Sequence, residues 1–267
     1  MRIVGTDTKR LARVFGFFLA AALVYLLLWG FDFPAVLPDM PSTIADPPPD
    51  PSSLKAPEPV PQTVTDERGQ LAAEGVRGYC VYVNLDKKRL FLYLNGVQVR
   101  NYPCAGGKAQ TPSPTGTWRI TGKSRWGKGF GGVWMGLDVP WGKYGIHGTK
   151  APWLVGRSHV SKGCIRLVSE NARELYTLVP VGTVVIIVYD GAPFRALKNG
   201  DVGSDVLSAQ KNLTRLGHYT GPFDGRFGSG LLRAVTEFQE ENGLPVTGII
   251  DKATYNAIME RLKSAPA

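Results

Sequence analysis

The first hydrophobic feature of the chain is an uncharged run of eighteen residues, Val14 to Phe31, preceded by a short basic stretch. A helix needs about 20 mostly apolar residues to cross a bilayer core, whereas the apolar part of a cleavable signal has about 7–15. The run therefore predicts a single transmembrane helix over residues 14–33. The positive-inside bias puts residues 1–13 in the cytoplasm and the rest outside. A buried core helix, and cleavage after secretion, are the alternatives.

Proline dominates the next segment, because residues 34–61 hold ten of the twenty prolines. Such a composition cannot bury a core and favours extended polyproline conformations. Residues 34–75 are therefore predicted to form an extracytoplasmic stalk between the membrane and the folded part of the chain.

A hairpin is the clearest local signal after the stalk. Asn95-Gly96 separates the apolar runs 90–94 and 97–99, and both turn residues tolerate a positive φ. The residues before it, 81–85, alternate between apolar and more polar positions, as a strand does.

The same pattern continues to residue 191 and predicts a mainly β sandwich over residues 76–191. Further strands are expected at 117–121 and 184–188, and one helix from Ser169 to about Leu178, with Ser169 as its N-cap. Cys80 is expected near the hairpin turn and Cys104 at the opposite end, so a disulfide between them would be too long.

Helical spacing returns in residues 195–264, which predict a small all-α module of three helices. Gly217 and Gly243 end the first two helices, and Asp251 can cap the third. Residues 223–225 and 246–248 form a weak internal repeat, each leading into a helix.

The charge is concentrated in one domain. The 267 residues carry 31 Lys and Arg against 22 Asp and Glu, a net of +9, and residues 77–191 alone hold sixteen basic and five acidic side chains. A basic surface suggests an anionic partner. A chain that faces outward seldom meets DNA, so nucleic acid is not expected. Three Cys and three His leave little for a zinc framework, and no metal site is predicted.

The candidate chemistry is a cysteine with a histidine seventeen residues upstream, Cys164 and His147. A thiolate can attack an acyl carbon while the imidazole moves protons. Gly163 permits a tight turn, so that its N–H and that of Cys164 could face a developing oxyanion. Lys162 and Arg166 flank the thiol, which would favour the thiolate and could hold a substrate carboxylate. From spacing alone, a buried Cys and an unrelated His remain equally open.

The surrounding motifs resemble the L,D-transpeptidase catalytic domain family. That family combines His-Gly-Thr/Ser with a later Ser/Thr-His-Gly-Cys and then an apolar residue and Arg or Asn. Here the two elements are residues 147–149 and 161–166. Residues 106–118, 134–137, 144–147 and 182–185 also match, so that the resemblance covers about 115 residues.

The resemblance implies the roles of the site residues. Cys164 would be the nucleophile and His147 the general base and acid, with the imidazole oriented by the Gly148 carbonyl. The residues implied to contact substrate are Arg166, Lys162, Ser161 and Tyr144. Lys162 stands where the family more often has His, which leaves His147 as the natural base and His159 as its rival.

The chemistry of that family implies an enzyme of the cell wall, and the N-terminal apolar run adds the expectation of a membrane anchor. The thiol would attack the third residue of a peptidoglycan tetrapeptide stem, release D-Ala and pass the acyl group to a second stem as a 3→3 cross-link. Resolution by water would make it an L,D-carboxypeptidase. Neither reaction needs a cofactor.

Residues 195–264 resemble the small three-helix peptidoglycan-binding domain, through motifs such as Asp224-Gly225 and Asn242-Gly243-Leu244. The expected partners are therefore stem peptides, glycan and the membrane, while the oligomeric state stays open. A catalytically silent wall-anchoring protein is the alternative from a different class.

Overall fold

The computed structural model describes residues 64–264. The predicted cytoplasmic segment 1–13, the transmembrane helix 14–33 and most of the stalk lie outside the described residues. Within 64–264, the structure contains no helix that combines the length and apolar character needed to cross a membrane.

Eight strands of the described chain form one mixed sheet with the order β3-β2-β1-β8-β4-β5-β6-β7. The β1–β8 and β6–β7 pairs are parallel, and the other pairs are antiparallel. The strands are β1 Tyr79–Asn84, β2 Arg89–Leu94, β3 Val97–Pro103, β4 Gly116–Arg125, β5 Val133–Leu137, β6 Tyr144–Gly148, β7 Ile165–Leu167 and β8 Val184–Val188.

Strand β4 joins the two halves of the sheet. The domain is therefore strand-rich, as expected, but it is not divided into the two separate sheets of the predicted sandwich. Its residues Gly116–Arg119 pair with β8, and its residues from Ile120 onward pair with β5, with a register shift between Ile120 and Gly122. A long strand with a bulge can change partners along its length. Both halves of the sheet contribute to the same buried cluster, including Val81 and Met135.

The predicted hairpin is confirmed. Asn95 and Gly96 have φ values of 50° and 79° and join β2 to β3, with Leu94 opposite Val97. Cys80 is buried beside that turn, and Cys104 is buried just beyond the far end of β3. Both are free thiols, as the hairpin register predicted.

A helix that the sequence did not predict, α1 (Glu67–Ala73), corrects the stalk boundary. Asp66 caps it by accepting the Gly69 N–H at 3.0 Å, and the same carboxylate accepts from Asn84 Nδ2 at 2.9 Å. Gly69 and Ala73 are buried against the sheet. The folded domain therefore begins before residue 76, and α1 covers the second face of β1, whose six residues are all buried.

The helix α2 spans Ser169–Leu178, as predicted, but Ser169 is not its N-cap. Val168 occupies that position, without a side-chain capping bond. The Ser169 hydroxyl instead donates to the Thr149 carbonyl at 3.1 Å, because β6 runs directly alongside the start of the helix.

Three helices make up the C-terminal module: α3 Ser204–Arg215, α4 Ser229–Glu241 and α5 Lys252–Ser264. Asp251 caps α5 through a 2.8 Å bond from the Thr254 N–H, as predicted. The weak sequence repeat has a structural basis, because a fully buried glutamine side chain binds the backbone of the turn in each copy. Gln210 Oε1 accepts the Gly225 N–H and Gln239 Oε1 accepts the Gly248 N–H, both at 2.9 Å.

The module packs against the strand-rich domain through Val202 and Leu207, and hydrogen bonds also join the two. Ser204 Oγ donates to the Thr115 carbonyl at 2.8 Å, and Arg226 Nη2 donates to the Pro140 carbonyl at 3.3 Å. Next to the second contact, a Cβ on Gly225 would lie only 2.2 Å from the Trp141 ring. The absence of a side chain there allows the close approach, as does a φ of 65°, which favours glycine.

Candidate active site

The parallel pairing of β6 and β7 places His147 and Cys164 on the same face of the sheet. Ile146 lies opposite Ile165, and His147 lies opposite Arg166. Because side chains alternate along a strand, Ile146 and Ile165 point into the core and their neighbours point to the other face. Cys164 directly precedes β7, two residues before Arg166, so the same alternation puts it on the face of His147.

One hydrogen bond fixes the tautomer of His147. Its Nδ1 lies 2.6 Å from the Gly148 carbonyl oxygen. A carbonyl can only accept, so Nδ1 carries the hydrogen, and in the neutral ring Nε2 keeps a free lone pair. The predicted orienting contact from Gly148 is therefore present, and the nitrogen left free is the one that could accept a thiol proton.

Glycine at position 148 also lets a neighbouring loop approach. A Cβ there would lie 2.8 Å from the Gly131 Cα, and one on Gly131 would lie 2.6 Å from the Gly148 Cα. The two backbones thus pack directly on each other. This loop carries Phe130, which the sequence analysis did not connect with the site, and its ring centroid lies 4.9 Å from that of His147. Strand β5 places Trp134 directly opposite His147, with ring centroids 5.6 Å apart.

Burial keeps the imidazole neutral. His147 is only 4% exposed, and loss of solvent lowers its pKa from 6.5, more than the Gly148 hydrogen bond raises it. The positive charge of Arg166 lowers the pKa further. The ring is thus a free base at neutral pH.

The thiol is also neutral at rest, which corrects the expectation that flanking cations favour the thiolate. Burial raises the pKa of Cys164 above 9.0, and this outweighs both a main-chain hydrogen bond from Gly145 and the charge of Arg166. Lys162 is exposed and is not among the groups that shift the pKa of the thiol. Solvent screening explains why a neighbouring ammonium in the sequence does not stabilise the thiolate.

Ser161 braces the turn before Cys164. It is 1% exposed; its hydroxyl accepts the Gly163 N–H at 2.9 Å and donates to the Cys164 carbonyl at 2.6 Å. Both bonds of the Ser161 hydroxyl go to the backbone of the turn, and its substrate contact stays a prediction. The bond from the Gly163 N–H to Ser161 Oγ engages one of the two predicted oxyanion donors, which leaves the Cys164 N–H for that role.

Tyr144 packs against this turn. Gly163 has a φ of 112°, and a Cβ there would lie 2.5 Å from Tyr144 Cε1 and 3.1 Å from the Pro112 carbonyl oxygen. The Tyr144 ring also contacts Trp141, with centroids 6.3 Å apart, and Trp141 in turn lies against Gly225 of the module. A continuous line of contacts therefore joins the C-terminal module to the residue before Cys164.

Two further predicted residues have distinct surroundings. Arg166 has a buried Nε with no hydrogen-bond partner among the described atoms. His159, the rival base, accepts the Gly106 N–H at Nδ1 (3.0 Å) and contacts the Leu85 carbonyl oxygen through Nε2 (3.1 Å). Both of its ring nitrogens are engaged, so it has no free lone pair for a thiol proton.

Comparison with known proteins identifies both folded parts of the chain. The family model of the L,D-transpeptidase catalytic domain matches residues 78–187, and that of a peptidoglycan-binding domain matches residues 202–258. YqjB of Bacillus subtilis, which carries the L,D-transpeptidase name, is 31% identical over 133 residues, which cover 44% of this chain and 75% of YqjB. The chain belongs to the L,D-transpeptidase family.

The relatives differ in which part of the chain they match. YkuD of Bacillus subtilis, which also carries the L,D-transpeptidase name, is 42% identical over 110 residues, covering 41% of this chain and 65% of YkuD. The chain thus spans less than two thirds of that relative. A spore cortex-lytic enzyme of Bacillus cereus is 38% identical over 69 residues, covering 26% of this chain and 27% of its own length.

The family match begins at residue 78 and leaves out α1, which nevertheless packs on the sheet. The match includes His147, Gly148, Gly163 and Cys164. The pairing of β6 with β7 is what brings these residues together from positions seventeen apart in the chain.

Proposed function

We propose that this chain is a cysteine-dependent L,D-transpeptidase that joins two peptidoglycan stems. The observation that carries the proposal is the neutral His147, held by the Gly148 carbonyl in β6, next to β7, which Cys164 directly precedes. A neutral thiol beside a neutral imidazole with a free Nε2 is the arrangement that general-base activation of a nucleophile requires.

The reaction begins when Cys164 Sγ attacks the carbonyl carbon of the third stem residue and its proton moves to His147 Nε2. The carbonyl oxygen becomes an oxyanion near the Cys164 N–H. The intermediate collapses, the C–N bond to D-Ala breaks, and the imidazolium gives its proton to the leaving amine. A thioester remains on Cys164.

In the second half, the side-chain amine of another stem attacks the thioester and His147 takes the amine proton. The C–S bond breaks, and the imidazolium returns its proton to the sulfur, which restores the resting pair. If water is the acceptor, the same steps give an L,D-carboxypeptidase. The unpartnered, buried Arg166 Nε supports a role in holding a substrate oxygen.

The proposal includes the place of the enzyme in the cell. The predicted transmembrane helix 14–33 would anchor the chain as a single span, with both domains on the wall side, and the module of residues 195–264 would bind the wall. The matched peptidoglycan-binding domain supports wall binding. A silent wall-anchoring protein is the competing function, and the base geometry at His147 argues against it.

Product analysis separates these functions. The full-length protein is incubated with disaccharide-tetrapeptide and the products are read by mass spectrometry. A dimer with loss of D-Ala indicates a transpeptidase, and tripeptide alone indicates a carboxypeptidase. Absence of turnover by the wild-type protein would favour the silent anchor and contradict the proposal.

Covalent labelling tests the nucleophile separately. Cys164→Ala should abolish acylation by a carbapenem, seen as the loss of the mass adduct. Cys80→Ala is the matched control and should keep the adduct, because burial raises the pKa of the Cys80 thiol to about 11. Labelling that survives Cys164→Ala would refute the assignment.

A further inference from the structure

A cavity of about 390 Å³ lies where the C-terminal module meets the strand-rich domain. One wall is the loop from Gly107 to Thr115, and the others come from the linker after β8 and from helices α3 and α5. Its volume is within the range of small-ligand sites, about 300–1,000 Å³. Neither His147 nor Cys164 lines the cavity.

Hydrogen bonds on both sides hold the walls in place. Ser204 Oγ binds the Thr115 carbonyl at 2.8 Å, which fixes the start of α3 on the loop. Arg195 of the linker binds Asp205 of α3 through Nε at 2.6 Å and through Nη2 at 3.0 Å. The cavity is therefore a formed feature of the docked module and not a gap between loose parts.

The mouth of the cavity combines exposed aromatic rings with an ammonium group. Phe194 and Tyr255 are 45% and 38% exposed, with centroids 5.6 Å apart. Lys252 Nζ lies 4.8 Å from the first ring centroid and 5.3 Å from the second. These cation–π contacts fix the ammonium at the mouth without neutralising its charge.

A second ammonium comes from the opposite domain. Lys108 lines the cavity from the catalytic-domain loop and is exposed. Within residues 64–264, neither Lys108 nor Lys252 has a carboxylate at ion-pair distance. Two unpaired cations above an aromatic and apolar lining favour a ligand that has both carboxylates and apolar groups.

The cavity also adjoins the nucleophile. The Lys108 N–H donates to the Ser161 carbonyl at 3.1 Å, and a Cβ on Gly107 would lie 2.9 Å from the Gly163 Cα. The loop that walls the cavity is thus packed directly on the turn before Cys164. A ligand in the cavity would lie on the other side of this one segment of chain.

From this arrangement we propose that the cavity is a second binding site for an acidic stem peptide of the wall polymer, recognised by Lys252 and Lys108. The inference rests on the proposed function, from which it takes the stem peptide as ligand. The free carboxylates of the stem pair with the two ammonium groups, and its methyl groups pack on the rings of Phe194 and Tyr255. The site exists only with the module docked, because both domains supply its walls.

Calorimetry on the full-length Cys164→Ala protein tests the proposal without turnover. The ligands are disaccharide-tetrapeptide with free carboxylates and the same compound with its carboxylates amidated. Lys252→Met, which keeps an apolar side chain against the rings, should weaken binding of the acidic ligand about threefold, and adding Lys108→Met should bring the loss to about tenfold. The affinity for the amidated ligand should be the same with and without these two substitutions. Lys211→Met, an exposed lysine of α3 outside the cavity, is the control and should change neither.

Three results would overturn the inference. The first is equal affinity of Lys252→Met and Lys211→Met for the acidic ligand, and the second is binding of the acidic ligand no tighter than that of the amidated one. The third is full competition by a stem-free N-acetylglucosamine oligomer, which would assign the cavity to glycan. Release of D-Ala by the wild-type protein reports on the proposed function independently, so either proposal can fail while the other stands.

Discussion

Gly163 offers a sharp test of the site, because a single methyl group there should displace the turn that carries the nucleophile. Its φ of 112° is one that residues with a side chain rarely adopt, which costs about 1–3 kcal/mol. An added Cβ would also lie 2.5 Å from Tyr144 Cε1. That is about 1 Å short of a normal contact of ~3.5 Å, and such overpacking costs about 1–3 kcal/mol more.

We therefore expect Gly163→Ala to lower the free energy of unfolding by about 2–6 kcal/mol and the melting temperature by at least about 5 °C. A displacement of about 1 Å at the nucleophile should lower the rate of carbapenem acylation about 100-fold. The rate is read by mass spectrometry and the melting temperature by calorimetry, at a temperature where the variant is folded.

Gly182→Ala is the matched control. Gly182 also has a positive φ of 91°, but no heavy atom would lie within 4 Å of its added Cβ. It should lose about 1–3 kcal/mol of stability through backbone strain and keep its acylation rate. The double variant Gly163→Ala/Tyr144→Ala should lose less stability than the sum of the losses of the two single variants, because removal of the Tyr144 ring removes the clash. Wild-type acylation by Gly163→Ala, with a stability loss equal to that of Gly182→Ala, would refute the reasoning.

Two further predictions concern the base and the brace of the turn. Because burial lowers the pKa of His147 below 6.5, protonation should remove the base only below that pH. The acylation rate should therefore be half-maximal below pH 6.5 and fall about tenfold per pH unit below its midpoint. A midpoint above pH 7 would contradict this prediction. Ser161→Ala leaves the buried Gly163 N–H without its acceptor, which should cost about 1–3 kcal/mol and lower the melting temperature by about 2–10 °C. Ser158→Ala, at an exposed position, should leave the melting temperature unchanged, and an equal effect of the two changes would rule out the brace.

Local features of the fold were predictable because their causes lie within a few residues. Asn95 and Gly96 tolerate a positive φ, and the chain turns there. Asp251 stands where a helix needs a cap, and it caps α5. The helix α1 was missed because it follows a proline-rich segment and has only seven residues, so that its stability comes from Gly69 and Ala73 packing on the sheet.

The roles of single side chains at the site were predicted less well. Ser161 lies within a catalytic motif, which suggested a substrate contact, whereas in the structure its hydroxyl bonds to the backbone of the turn. The two cations beside Cys164 in the sequence suggested a thiolate, yet burial raises the pKa of the thiol instead. Sequence order gives the identity of neighbours but not their exposure, and exposure decides how strongly charges act.

The sequence by itself determined the family and the strand-rich and helical parts, and the family motifs singled out His147 and Cys164 as the candidate pair, because motifs and periodic patterns depend on residue types at fixed spacings. Only the tertiary structure decided the tautomer of the base, the neutral state of the thiol and the contact of Tyr144 with Gly163. The cavity between the domains belongs to the same group. These features depend on burial and on contacts between segments far apart in the chain, and those are set when the sheet and the module pack.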